Sequence, residues 1–167
     1  MTLKWDCQQK SNNFGFKISD LEPNESRFHA IYFVDGISGA VLVSNQYSKK
    51  AIFSQGYEDL ISSFLSAINM FIRELNNDGE EIQEINFKGT RILYERRGRL
   101  ICIGISKKTD LELERQILHN ILNDFYCKFE KEINRFNGII EPKILKYKFK
   151  LDGKINTNFN QNLNFAH

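Results

Sequence analysis

Ala30-Ile31-Tyr32-Phe33-Val34 is apolar at every position. A strand with one wet face alternates apolar and polar residues, whereas a strand without a polar face needs cover on both sides. The stretch from Phe28 to Val34 therefore reads as a central strand, hidden front and back. Leu100-Ile101-Cys102-Ile103-Gly104-Ile105 reads the same way. Two such strands demand a layer of helix on each face of one sheet.

The flanking sequence supplies those layers. Asp35-Gly36-Ile37-Ser38-Gly39 is a hairpin connection with glycines for positive φ, and Ala40 to Asn45 is the returning strand. From about Tyr57 to Leu75, the residues Leu60, Ile61, Phe64, Leu65, Ile68, Phe71, Ile72 and Leu75 recur at three- and four-residue steps, which predicts an amphipathic helix. Asn76-Asn77-Asp78-Gly79 stops it. Three short strands follow: around Ile85 and Phe87, from Arg91 to Glu95, and from Leu100 to Ile105, with turns at Lys88-Gly89 and Arg97-Gly98. Thr109-Asp110-Leu111-Glu112 has the form of a capping box. The helix it opens carries Ile117, Leu118, Ile121, Leu122, Phe125, Phe129, Ile133 and Phe136 on one side, and Asn137-Gly138 ends it. The order β-β-α-β-β-β-α predicts an α/β (α+β) fold: a five-stranded, mainly antiparallel sheet in a helix–sheet–helix sandwich.

That domain spans 28–138. Residues 1–27 form an N-terminal extension in which Phe14, Phe16 and Ile18 alternate like a short strand. Residues 139–167 form a C-terminal extension. There Leu145, Tyr147, Phe149 and Leu151 alternate with lysines ahead of Asp152-Gly153, which reads either as a β-hairpin or as an Asn-rich disordered tail.

At 167 residues the chain is expected to form one domain, and a net charge of +2 provides no global field toward nucleic acid or anionic membrane. No run approaches the roughly 20 apolar residues of a membrane span. Met1 to Asp6 lacks the profile of a signal peptide, so a cytoplasmic protein is expected. Cys7, Cys102 and Cys127 are far apart and read as reduced structural thiols.

Motifs for chemistry are lacking. Lys88-Gly89-Thr90 has the wrong order for a P-loop, and the Asp35–Gly39 turn opens a strand where a dinucleotide fingerprint opens a helix. His29, His119 and His167 do not converge by sequence, and the Glu80-Glu81 and Glu130/Glu132 pairs sit at helix ends or on solvated faces. No enzyme, no cofactor, no metal and no nucleic-acid partner is expected. The densest charge feature comprises Arg91, Arg96, Arg97 and Arg99 around one hairpin. It reads as a patch for an anionic partner or as an ordinary charged turn that blunts a sheet.

The strand–turn–strand His29 to Val43, the helix Leu60 to Phe71, and the meander Ile85–Tyr94 with Leu100–Ile105 together resemble a longin domain, a profilin-like module of membrane trafficking. In character they are most similar to longin-type proteins of Asgard archaea. The resemblance implies a non-catalytic module that binds a small Ras-like GTPase or another longin/roadblock subunit. It also implies that the first and last strands lie at the sheet centre. The chain lacks the heptad segment a longin SNARE would carry. Val41, Leu42, Val43, Asn45 and Tyr47, on and after the second strand, are then the expected docking edge, available also for a homodimer, with any membrane contact peripheral. A profilin-like or PAS-type small-molecule sensor is the alternative reading.

Overall fold

The computed structural model describes residues 27–48, 63–67, 70, 74 and 81–152. Five strands form one sheet: β1 (Phe28–Asp35), β2 (Val41–Gln46), β3 (Glu84–Asn86), β4 (Arg91–Arg97) and β5 (Leu100–Ser106). Their spatial order is β2-β1-β5-β4-β3, and every pairing is antiparallel. Helix α1 is described over residues 63–67, with residues 70 and 74 also helical. It precedes β3; α2 (Leu111–Asn134), α3 (Pro142–Leu145) and α4 (Tyr147–Leu151) follow β5.

β1 and β5 are neighbours in the interior of the sheet, and every residue of both is buried. Their side chains separate into two cores. On one face Phe28, Ile31, Phe33, Leu42, Leu93 and Cys102 meet Ile117, Leu118, Ile121, Leu122 and Phe125 of α2. On the other, Ala30, Tyr32, Val34, Ile92, Tyr94, Ile101, Ile103 and Ile105 meet Leu65 of α1. A break in register between Phe28 and Ala30 puts Phe28 on the face of Ile31 and Phe33, which strict alternation would deny it.

Gly104 shows how closely α2 approaches the sheet. A Cβ built there would lie 2.8 Å from both δ-methyls of Leu118 and 2.8 Å from Phe28 Cε1. The missing side chain is the space into which Leu118 packs. Gly98 has a different role. Its φ of 58° closes the tight turn between β4 and β5, whose ends pair as Arg97 with Leu100.

α2 begins one residue later than the Thr109–Glu112 capping box implied. Asp110 is the N-cap, and its Oδ1 accepts from the Leu113 amide at 3.0 Å. The reach-back comes from Glu114, whose Oε1 accepts from the Thr109 amide at 2.8 Å and the Thr109 hydroxyl at 2.9 Å. Glu112 faces outward and bonds to Gln116. The helix bends at Phe129, where φ is −125° and ψ is 23°. The break lets Ile133 in its last turn, and Phe136 just beyond the helix, stay on the core.

The strand expected at Leu145–Leu151 is instead helical, in α3 and α4. Both periods fit the sequence. Alternation would bury 145, 147, 149 and 151, whereas the helix buries Ile144, Tyr147 and Leu151 and leaves Leu145 and Phe149 out. Pro142 at the first turn favours the helix. Tyr147 meets Phe125 edge-on at 4.8 Å and Phe33 at 5.8 Å, while Phe33 and Phe125 stack at 4.2 Å. The Tyr147 hydroxyl donates to Asp124 Oδ2 at 2.6 Å. The boundary expected at residue 138 thus falls inside a core that continues to Leu151.

Other expectations fare unequally. Phe64, assigned to the apolar face of the first helix, is half exposed, while Leu65 is buried. Cys102 is a free, buried thiol. The strand around Phe14–Ile18, the remainder of the 57–75 helix and the chain beyond Asp152 lie outside the described residues.

Gly104→Ala should force Leu118 or Phe28 to move and cost about 1–3 kcal/mol. The expected readout is a lower urea midpoint with an unchanged denaturant slope.

Candidate functional site

β2 is the marginal strand beyond β1, and among the described residues no further strand pairs with it. Its side chains divide inward and sideways. Leu42, Val43 and Asn45 are buried; Val41 and Tyr47 are half-buried. Leu42 packs in the core shared with α2, α3 and α4, and Val41 packs against the opposite core. The Tyr47 hydroxyl donates to the Leu151 carbonyl at 3.0 Å, tying the end of β2 to the end of α4, and burial pushes its pKa up to about 12. The residues expected at the docking edge are therefore together on one marginal strand, and what they could offer a partner is backbone more than side chain. A marginal strand can take another strand by main-chain pairing.

The four arginines of the expected anionic-partner patch are not brought together. Alternation along β4 sends Arg91 and Arg97 to the α2 face and Arg96 to the other. Arg91 donates to Glu114 Oε2 at 3.2 Å and to Asn86 Oδ1 at 3.3 Å. Arg97 donates to Asn123 Oδ1 at 2.9 Å and lies 4.4 Å over the Tyr126 ring. Arg96 pairs with Glu81 and donates to the Gly98 carbonyl at 2.9 Å. Arg99 turns inward to Asp35 and to the Phe136 carbonyl, the latter at 3.0 Å. Each guanidinium serves a contact within the fold.

Arg99 belongs to a network absent from the expected site. Asp35 ends β1 with its side chain 1% exposed. It accepts from Arg99 Nε, from Arg99 Nη2 at 3.1 Å, and from the amide and hydroxyl of Ser38, the amide at 2.8 Å. Through Arg99 it joins the β1–β2 turn, the start of β5 and the end of α2. Burial alone would raise the Asp35 carboxyl, but the hydrogen bonds from Arg99 and Ser38 outweigh it and hold the pKa below the ordinary 3.8. The sequence signal was an acidic residue closing an apolar strand, opposite an arginine after a glycine turn.

A cleft of about 460 Å³ opens beside β4, lined by Glu81, Ile82, Gln83, Tyr94, Glu95, Arg96, Ile101 and Arg115. Arg96 pairs with Glu81 across it, and Arg115 pairs with Glu84 at 2.7 Å. The Tyr94 hydroxyl is buried and has no hydrogen-bond partner among the described residues, and burial raises its pKa. Among the described residues, no group of three or more His, Cys, Asp or Glu side chains could hold a metal ion. No described helix is long and apolar enough to cross a membrane.

With that geometry established, the family described as the first longin domain of FUZ, MON1 and HPS1 matches residues 31–129, from within β1 to the bend of α2. This is more than half of the 167 residues. The chain belongs to the longin family. The match does not bear on the archaeal source that the resemblance evoked. No curated protein matches the chain. Among solved structures, the longin chain is similar to a roadblock/LC7 domain from Streptomyces avermitilis, at 8% identity and a TM-score of 0.49, covering 63% of this chain and 87% of that one. It is similar to MglB of Myxococcus xanthus, at 15% identity and a TM-score of 0.47, covering 70% and 85%. A homology model of the full-length AP-3 complex in a stretched open conformation has a chain similar at 12% identity and a TM-score of 0.36, covering 80% and 98%.

The Asp35 network gives the longin domain an acid limit. Because the folded pKa is depressed, its stabilisation is complete above the unfolded value of about 3.9 and disappears as pH falls through the folded one. Asp35→Asn should cost about 3 kcal/mol at pH 7 by leaving Arg99 without its counter-charge. In urea titrations the gap between wild type and variant should narrow as pH drops below 3.8.

Proposed function

We propose that this longin domain is a non-catalytic interaction module of membrane-trafficking type. Its partner is a small Ras-like GTPase or a second subunit of longin or roadblock kind, and a homodimer would use the same surface. The observation that carries this reading is the position of β2. The family-matched segment builds a sheet whose interior strands are fully covered and whose margin at β2 has no described strand beyond it. α3 and α4 support that margin from one face through Leu42, and Tyr47 fixes its end. A rigid marginal strand lowers the ordering cost of adding a partner strand. The setting is cytoplasmic, with any membrane contact peripheral.

One observation favours the second reading, a small-molecule sensor. The Tyr94 hydroxyl beside the β4 cleft, without a partner among the described residues, would welcome a polar ligand. The Arg96–Glu81 pair that lines that cleft would have to open to admit one.

The test mixes the purified chain with Ras-like GTPases, in GDP and GTP forms, and with longin or roadblock proteins from its own genome. Light scattering after size exclusion should show a species with the summed mass of both components. Val43→Pro, confirmed folded by its melting curve, should abolish it, and Val41→Lys should weaken it. Separate components in every mixture, or a complex that survives Val43→Pro, would contradict the reading. A metabolite retained in native mass spectrometry and lost with Tyr94→Phe would favour the sensor.

A further inference from the structure

α3 and α4 form nearly one helix, because Lys146 between them keeps helical dihedrals (φ −64°, ψ −18°). Ile144, Tyr147 and Leu151 point into the core. On a helical wheel the direction opposite these three falls nearest Phe149, with Lys146 on one side of it and Leu145, four residues before Phe149, on the other. Both are exposed, Leu145 by 50% and Phe149 by 53%. A surface helix ordinarily keeps its polar residues on that side. Here the apex is apolar and the lysines lie beside it.

Lysines outnumber carboxylates around the apex: Lys143, Lys146, Lys148 and Lys150 lie between Pro142 and Leu151, and the carboxylates Glu141 and Asp152 bound the segment. Lys143 is held by Glu132 and Glu141, and Lys150 by Asp124 at 2.7 Å. Lys146 and Lys148 are exposed and enter no ion pair among the described residues. They flank Leu145 and Phe149 on opposite sides. Two apolar side chains between two free ammonium groups match the boundary of an anionic bilayer, where apolar tips enter the acyl edge and lysines stay at headgroup level.

We propose that the outer face of α3–α4 is a contact site for an anionic lipid surface, with Leu145 and Phe149 as insertion points and Lys146 and Lys148 as headgroup partners. The contact is shallow and weak alone, since two apolar side chains and two charges fall short of a stable anchor. It needs no partner protein, so its failure would leave the β2 docking reading intact.

The test is co-sedimentation of the full chain with vesicles of phosphatidylcholine alone or with 30% phosphatidylserine. Binding should require the anionic lipid and weaken from 50 to 200 mM salt. Lys146→Ala with Lys148→Ala should lower affinity about 5-fold per lysine at low salt. Leu145→Ser with Phe149→Ser should lower it ~10-fold or more while the melting temperature holds, because both side chains are exposed. Equal sedimentation with neutral vesicles, no sedimentation with either, or indifference to both double variants would overturn the site. So would a concentration-dependent dimer, seen by light scattering, that Phe149→Ser dissolves, because the face would then belong to a second copy.

Discussion

The burial of β1 and β5 on both faces is the constraint from which the rest of this molecule follows. A strand without a polar side is stable only between two apolar layers, so both helical layers are obligatory. The sheet order follows as well. With β1 and β5 paired in the interior, β2 and the short β3 are left at the margins. Gly104 allows α2 to settle against β5, and the stack of Phe33 on Phe125 joins β1 to the same helix. Tyr147 then closes the aromatic cluster from the C-terminal side.

Among the described residues, the buried polar groups are arranged around this frame. Glu114 caps α2 and holds Arg91; Asp35 holds Arg99 and the turn after β1. These buried carboxylates are compensated by several donors each, which lets charge exist inside a dry core. Their effect is positional. They fix where β4, β5 and α2 meet, apart from the two surfaces proposed for docking, the margin at β2 and the outer side of α3–α4. The first offers backbone to another strand, the second apolar tips and lysines.

Much of the fold was legible because it rests on simple periodicities. The unbroken apolar runs at 30–34 and 100–105 identified the interior strands, and the three–four spacing from Ile117 to Phe136 identified α2 and its buried face. The errors arose where two patterns overlapped. Leu145-Lys-Tyr-Lys-Phe-Lys-Leu alternates as a strand does, yet Ile144, one residue earlier, completes a helical stripe with Tyr147 and Leu151. Arg91, Arg96, Arg97 and Arg99 look like a patch only if nearness along the chain is taken for nearness in space. Strand alternation and the carboxylates of distant segments, Glu81, Glu114 and Asp35, divide them. Those partners lie far along the chain, and the Asp35–Arg99 pair, hinted at only by an acidic strand end and an arginine after a glycine turn, closes once the sheet is assembled.

Native-state hydrogen exchange tests the two-sided core most directly. The amides of β1 and β5 should exchange only through global unfolding, with one common free energy, while those of β3 and the ends of β2 should exchange through smaller openings. Amides of Ile31–Val34 or Ile101–Ile105 exchanging as fast as those of β3 would show that one face of these strands is open to water, contrary to the structure described.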